Sequence, residues 1–143
     1  MEDIQVKLLT STAVVPQKGR DGDAAFDLYT NKDVTLYYKT LTTVSTGVAI
    51  KIPEGYFGYI TGRSGMTFKD NIITHQGVID NNYVGELGVC LENCNKDQYP
   101  KKIVAGDRVA QLLILPVPNM QMAVVDELED TVRGDAGFGS SGR

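Results

Sequence analysis

Val44, Thr46, Val48, Ile50 and Ile52 alternate without a break with Ser45, Gly47, Ala49 and Lys51. A period of two sends successive side chains to opposite faces of an extended chain, so this stretch predicts a long strand with one face on a core. Pro53-Glu54-Gly55 ends it in a turn. The remainder agrees: Val (15), Ile (9) and Thr (12) supply 36 of 143 residues against 19 Ala plus Leu, and with 15 glycines this bias favours strands and turns. A second alternating run, Tyr83, Gly85, Leu87, Val89 and Leu91, follows Gly77-Val78-Ile79-Asp80 with only Asn81-Asn82 between. Because asparagine tolerates positive φ, that spacing predicts a two-residue hairpin. Residues 108–115 are apolar at nearly every position, which predicts a deep strand buried on both faces of a sandwich or barrel. Helical turns are expected only around residues 65–70 and 125–129.

Chain length fits one domain, and 42% hydrophobic with 22% charged residues is enough to build a core. Fourteen Lys and Arg against 18 Asp and Glu give a net charge of −4 with no basic block, which argues against a nucleic-acid partner. The longest apolar run, residues 112–117, is interrupted at Pro116, too soon for a membrane span. Met1-Glu2-Asp3-Ile4-Gln5 has neither a basic nor an apolar leader character, so a soluble, intracellular protein of cytoplasm or nucleus is expected. Cys90 and Cys94 are too few for a disulfide framework or a structural zinc site.

From Pro116 onward the character changes, passing through Asp126-Glu127-Leu128-Glu129-Asp130 to a glycine-rich end. The last eleven residues hold four glycines, two arginines, two serines and Phe138, with little apolar surface to hold them down. Such a segment is either a frayed terminus or a flap that orders on a phosphate ligand, with Arg and Ser for phosphates and an aromatic for a flat group. Gly137-Phe138-Gly139-Ser140-Ser141-Gly142 matches the dinucleotide fingerprint by letters only, since that motif works between a strand and a helix. The P-loop pattern does not occur.

Five segments, in order, resemble the five motifs of the homotrimeric dUTPases, which cleave dUTP to dUMP and pyrophosphate. They are Asp23-Ala24-Ala25-Phe26-Asp27-Leu28, Gly62-Arg63-Ser64-Gly65-Met66, Gly77-Val78-Ile79-Asp80-Asn81-Asn82-Tyr83-Val84-Gly85, Gly106-Asp107-Arg108-Val109-Ala110-Gln111-Leu112, and the segment from Arg133. The resemblance implies a mainly β subunit, a distorted antiparallel β-barrel or jelly-roll, assembled as a homotrimer with shared sites. It divides one domain into a β core (1–115), a connecting segment (116–132) and a substrate-closing arm (133–143). It implies Asp80 as the base that orients and deprotonates the attacking water, and Tyr83 beneath the deoxyribose. Thr74, Gly77, Val78, Ile79 and Gly88 would frame uracil, chiefly through backbone groups. Arg63 would support the site, Ser64, Gly65 and Gln111 would meet the phosphates, and Arg108 would be a structural ion-pair partner. In the arm Arg133 would reach the γ-phosphate, Phe138 stack on uracil, Gly137 and Gly139 allow close approach, and Ser140 and Ser141 donate to phosphates. Mg²⁺ is the implied cofactor, held by Asp27 through its water shell.

Ala25, Gly62, Met66 and Thr74 stand where the family more often has Gly, Pro, Leu and, in bacterial members, Asn. His75, the only histidine, reads as a surface or structural residue. Two rivals stay open at this level. One is the dCTP deaminases, which share the fold but rely on a Glu base. The other is a dUTPase-like regulatory protein that uses nucleotide occupancy as a switch.

Overall fold

The computed structural model describes residues 3–139; Ser140 and Ser141, expected at the phosphates, lie outside the described residues. Ten strands and one helix follow in the order β1 (Gln5–Leu8), β2 (Phe26–Tyr29), β3 (Val34–Leu36), β4 (Leu41–Lys51), β5 (Tyr56–Thr61), α1 (Ser64–Asp70), β6 (Ile72–His75), β7 (Gly77–Ile79), β8 (Glu86–Asn93), β9 (Lys101–Ile103) and β10 (Arg108–Pro116). They form two four-stranded sheets, β1-β4-β8-β6 and β2-β10-β5-β7, and a β3-β9 pair, with these strands paired antiparallel. Inward side chains from both sheets, among them Leu28, Val44, Ile52, Leu87, Leu91 and Leu112, pack into one core. The fold is the mainly β, antiparallel one that the sequence predicts.

In β4 the predicted inward set, Val44, Thr46, Val48 and Ile50 with Ile52 just beyond, is buried. Gly47 and Ala49 are buried too, because the ladder to β8 slips between Ser45 and Ala49, and Gly47 takes φ +66 there. A side chain would not fit: a Cβ on Gly47 would stand 2.7 Å from Thr10 Oγ1 and 2.8 Å from Asn31 Nδ2.

Three expectations need correction. β10 is central, between β2 and β5, but only its first half lies deep: Val109, Ala110 and Leu112 are buried, whereas Leu115 is 37% exposed. The pairing explains this, since β2 ends opposite Leu112 while β5 continues alone to Pro116. Residues 125–129 form no helix; Asp126, Glu127, Glu129 and Asp130 would repel one another at helical spacing, and no packed face offsets them. The segment after Ile79 turns, with Tyr83 N–H donating to Asp80 C=O at 3.0 Å, but it is not a paired two-residue hairpin. Neither Asn81 nor Asn82 has positive φ, and a turn of ordinary hand splays its flanks. Accordingly β7 joins β5 in one sheet and β8 joins β4 and β6 in the other.

Cys90 and Cys94 are free thiols. Burial first, then the Glu92 carboxylate, pushes the Cys94 thiol up, the opposite of a reactive thiolate.

Candidate active site

The second sheet joins three of the sequence motifs side by side. Gln111 on β10 lies opposite Asp27 of β2 on one flank and Thr61 of β5 on the other. Asp27 is only 7% exposed and is neutralised by two arginines: Arg63 Nε lies 3.1 Å from Oδ1 and Arg108 Nη1 3.4 Å from Oδ2. Arg63 Nη1 also reaches the carbonyl of Arg108. A buried carboxylate between two partly exposed guanidiniums fixes their heads while leaving positive charge at the surface. These arginines border a cleft of about 350 Å³ shared with Lys101, Lys102, Asp70 and Asp107.

Arg63 is the N-cap of α1, and Ser64 and Gly65 are its first two residues, exposed to solvent. First-turn amides have no partner inside a helix, and no acidic residue occupies that turn. A Cβ on Gly65 would meet nothing within 4 Å, so packing within the chain leaves that side open for close approach. Gln111 is half-buried and makes no side-chain hydrogen bond among the described residues. This group can therefore bind an oxyanion through two guanidiniums, a hydroxyl, an amide donor and free helix-start N–H groups.

A second group gathers where the chain crosses between the sheets. The β6–β8 ladder runs from Ile72↔Asn93 to His75↔Cys90 and stops; its register, carried on, would set Gly77 opposite Gly88. Instead Gly77, Val78 and Ile79 pair with Ile60, Tyr59 and Gly58 of β5, and the arms part to leave a slot between β7 and the start of β8. Val78 is exposed and Gly77 and Ile79 half-buried. Asp80 lies exposed at the end of β7. Tyr83 folds over Gly85, where a Cβ would stand 2.7 Å from Tyr83 Cζ, and its hydroxyl donates to the Glu86 carbonyl at 2.8 Å. Lys51 Nζ donates to the carbonyl of Asn81 at 2.8 Å, tying the turn to β4. Thr74 points elsewhere: its hydroxyl is buried without a hydrogen-bond partner, next to Gly62.

Within one chain the two groups are far apart. Gly77 is opposite Ile60, three residues before Arg63, but the Asp80 end follows Ile79 opposite Gly58, five residues before, and at about 3.3 Å per strand residue Asp80 and Arg63 stand roughly 15 to 20 Å apart. One phosphate cannot touch both. A third group, Arg133, Gly137, Phe138 and Gly139, lies on a segment without helix or strand. Arg133 Nε donates to the carbonyl of Ala136, and Phe138, at φ +51, is fully exposed.

Among the described residues no three His, Cys, Asp or Glu side chains are placed to hold a metal ion. Asp27 is nearly buried with an arginine cation on each oxygen, which opposes direct ligation of a cation, while its remaining lone pairs can accept from waters of a cation's shell.

The family model for dUTPase matches residues 11–142. A deoxyuridine 5'-triphosphate nucleotidohydrolase of Paramecium bursaria Chlorella virus 1 is 42% identical over 142 residues, 99% of each chain.

The chain belongs to the dUTPase family.

Its counterpart in Saccharomyces cerevisiae is 39% identical over 140 residues, covering 97% of this chain and 94% of that one. A point mutant of the dUTPase of Staphylococcus bacteriophage 80alpha, solved with dUpNHpp, superposes with a TM-score of 0.91 at 31% identity over 100% of both chains. A dUTPase of phage phi11, whose structure describes a structural Mg(II) ion, gives 0.83 at 31% identity, covering 90% of this chain and all of that one. In this dUTPase-family chain sequence reasoning passes over Glu86, which fills the bulge of β4 at Ser45 and Gly47, and Lys51, which holds the Asn81 carbonyl of the Asp80 turn. Both read as ordinary outward charges of alternating strands, and their partners, forty and thirty residues distant, leave no trace in local pattern.

Proposed function

We propose that this protein hydrolyses dUTP to dUMP and pyrophosphate, in sites assembled from more than one chain of a homotrimer. The observation that carries the second half is the separation of roughly 15 to 20 Å between Arg63 and the Asp80 turn along β5, because the Asp80 base and the phosphate donors must meet at one α-phosphate and a single chain does not bring them together. An arm free of its own core supports the same reading, since it is available to close a site on a neighbour.

In this reading uracil enters the slot between β7 and β8 and pairs with backbone groups of Val78 and Gly88, while the narrow gap rejects the 5-methyl of thymine by overlap. Tyr83 lies under the sugar and leaves no room for a 2′-hydroxyl. Ser64, Gly65 and Gln111 of an adjoining chain hold phosphate oxygens, with Arg63 kept in line by Asp27. Asp80 accepts a proton from the attacking water at a carboxylate oxygen and holds it in line with the α-phosphorus and the departing pyrophosphate oxygen. Asp27 would be the carboxylate that meets the water shell of a magnesium ion carried on the triphosphate, and such an ion would supply positive charge against the phosphate oxygens. Arg133 reaches the γ-phosphate, Phe138 covers uracil, and Ser140 and Ser141 donate to phosphates, excluding bulk water.

The test is pyrophosphate release from dUTP, dTTP, dCTP and UTP with Mg²⁺, beside an ammonia assay on dCTP. Release from dUTP alone is expected, and ammonia from dCTP would move the chain to the deaminases. Asp80→Ala is expected to lose turnover by about 10²- to 10⁴-fold while still binding dUpNHpp; wild-type-like turnover would overturn its assignment as base.

A further inference from the structure

We infer that Glu86 is a positioning residue that sets the selection of deoxyribose through Tyr83. The inference rests on the role proposed for Tyr83 and adds the group that holds that ring in place. Tyr83 has two fixed points, the Glu86 carbonyl that receives its hydroxyl hydrogen at 2.8 Å and the Gly85 backbone beneath its ring. Where the ring lies therefore depends on where the backbone of residues 85 and 86 lies.

At that place the sheet is incomplete. The β4–β8 ladder steps from Ser45↔Gly88 to Ala49↔Glu86, so Thr46, Gly47 and Val48 of β4 stand against Leu87 alone and regular backbone pairing fails between them. The Glu86 carboxylate fills the gap. Its Oε1 accepts from Gly47 N–H at 2.8 Å and from the Ser45 hydroxyl in a short contact, and Thr46 Oγ1 donates to the Leu87 carbonyl at 2.7 Å alongside. The Gly47 N–H faces Glu86 because Gly47 stands at φ +66, walled in by Thr10 and Asn31. One side chain thus replaces the missing ladder bonds and anchors the first residue of β8. Without it, Gly47 N–H keeps no partner, and the start of β8 is held to β4 only by the isolated Ala49↔Glu86 pair beyond the bulge.

A purely structural brace would lower stability and leave the ratio of sugar preferences alone, so that ratio is the readout. The experiment measures kcat/KM for dUTP and UTP, with thermal midpoints, on the assembled wild type, Glu86→Ala, Glu86→Gln and Tyr83→Ala. Glu86→Ala is expected to lower the dUTP:UTP ratio about tenfold, the equivalent of one lost partly buried hydrogen bond. Glu86→Gln keeps the accepting oxygen and is expected to stay within about twofold of wild type. If Tyr83→Ala lowers the ratio while Glu86→Ala leaves it at the wild-type value, the inference is overturned and the Tyr83 assignment survives. If Tyr83→Ala leaves the ratio unchanged, both fall. Should Glu86→Ala fail to assemble, Ser45→Ala removes one of the two donors and is expected to lower the ratio about threefold; an unchanged ratio there would equally overturn the inference.

Discussion

The two packed sheets and the segment that follows them are built from similar residues and put them to opposite use. In the sheets Leu28, Leu87, Val89 and Val109 are 0% exposed. Beyond Pro116, Met122, Val124, Val132 and Phe138 are each exposed by more than 100%, and Met120 and Leu128 by more than 80%. Apolar side chains left wholly in water gain nothing for the chain that carries them. In the proposed account their benefit is collected on another surface, where the arm's arginine, glycines and aromatic complete a site shared between chains.

This contrast can be broken from either side. Removing residues 133–143 is expected to cut dUTP turnover by roughly 10²-fold or more, as for a loop that positions substrate and excludes water, while the thermal midpoint holds. A lowered midpoint with intact turnover would show that the segment serves stability instead. Leu112→Ala is the reverse case: Leu112 sits between Phe26 and Ile60 in the middle of the second sheet, and its truncation is expected to cost about 3 kcal/mol in denaturant unfolding, with kcat per folded protein little changed. Phe138→Ala is expected to slow turnover about tenfold, the worth of one base stack, and unchanged kinetics would mean that the aromatic does not cover the base.

The smallest effect concerns acid. The Ser45 hydroxyl first, then Gly47 N–H, holds the Glu86 carboxyl below its ordinary 4.5. A carboxyl more acidic in the folded than in the unfolded state stabilises the fold above its unfolded pKa and loses that contribution as pH falls through the folded one. The stability difference between wild type and Glu86→Ala, small because the group is exposed, is therefore expected to be full at pH 7 and to shrink below about pH 4.5. Melting curves at pH 7 and pH 3.5 check it, and a difference that grows on acidification would contradict the assignment.

What the sequence let through follows the same division. The alternation of residues 44–52 announces β4 because its inward set from Val44 to Ile52 meets the core. The motif residues announced the chemistry by their identity: Asp27, Arg63 and Gln111 are far apart in the chain, and only the ladders β2-β10-β5 make them neighbours. The turn at Asn81-Asn82 was misread as a hairpin because its local letters suit one, whereas the sheet to which each flank belongs is decided by the core. Glu86 was invisible for a related reason, since its partners at Ser45 and Gly47 exist only once β4 bulges. For residues 125–129, the two apolar residues at helical spacing, Val125 and Leu128, are outweighed by the carboxylates of Asp126, Glu127 and Glu129 and the adjoining Asp130.

The claim that most needs testing is that one site takes its base slot and its phosphate group from different chains. Asp80→Ala and Arg63→Ala chains, each inactive alone and carrying different tags, can be co-expressed and the mixed assemblies isolated through both tags. Mixed trimers are expected to regain a substantial fraction of wild-type dUTP turnover, because some sites then pair an intact Asp80 with an intact Arg63 from another chain. Mixed assemblies no more active than either parent would contradict the account and return both groups to a single chain.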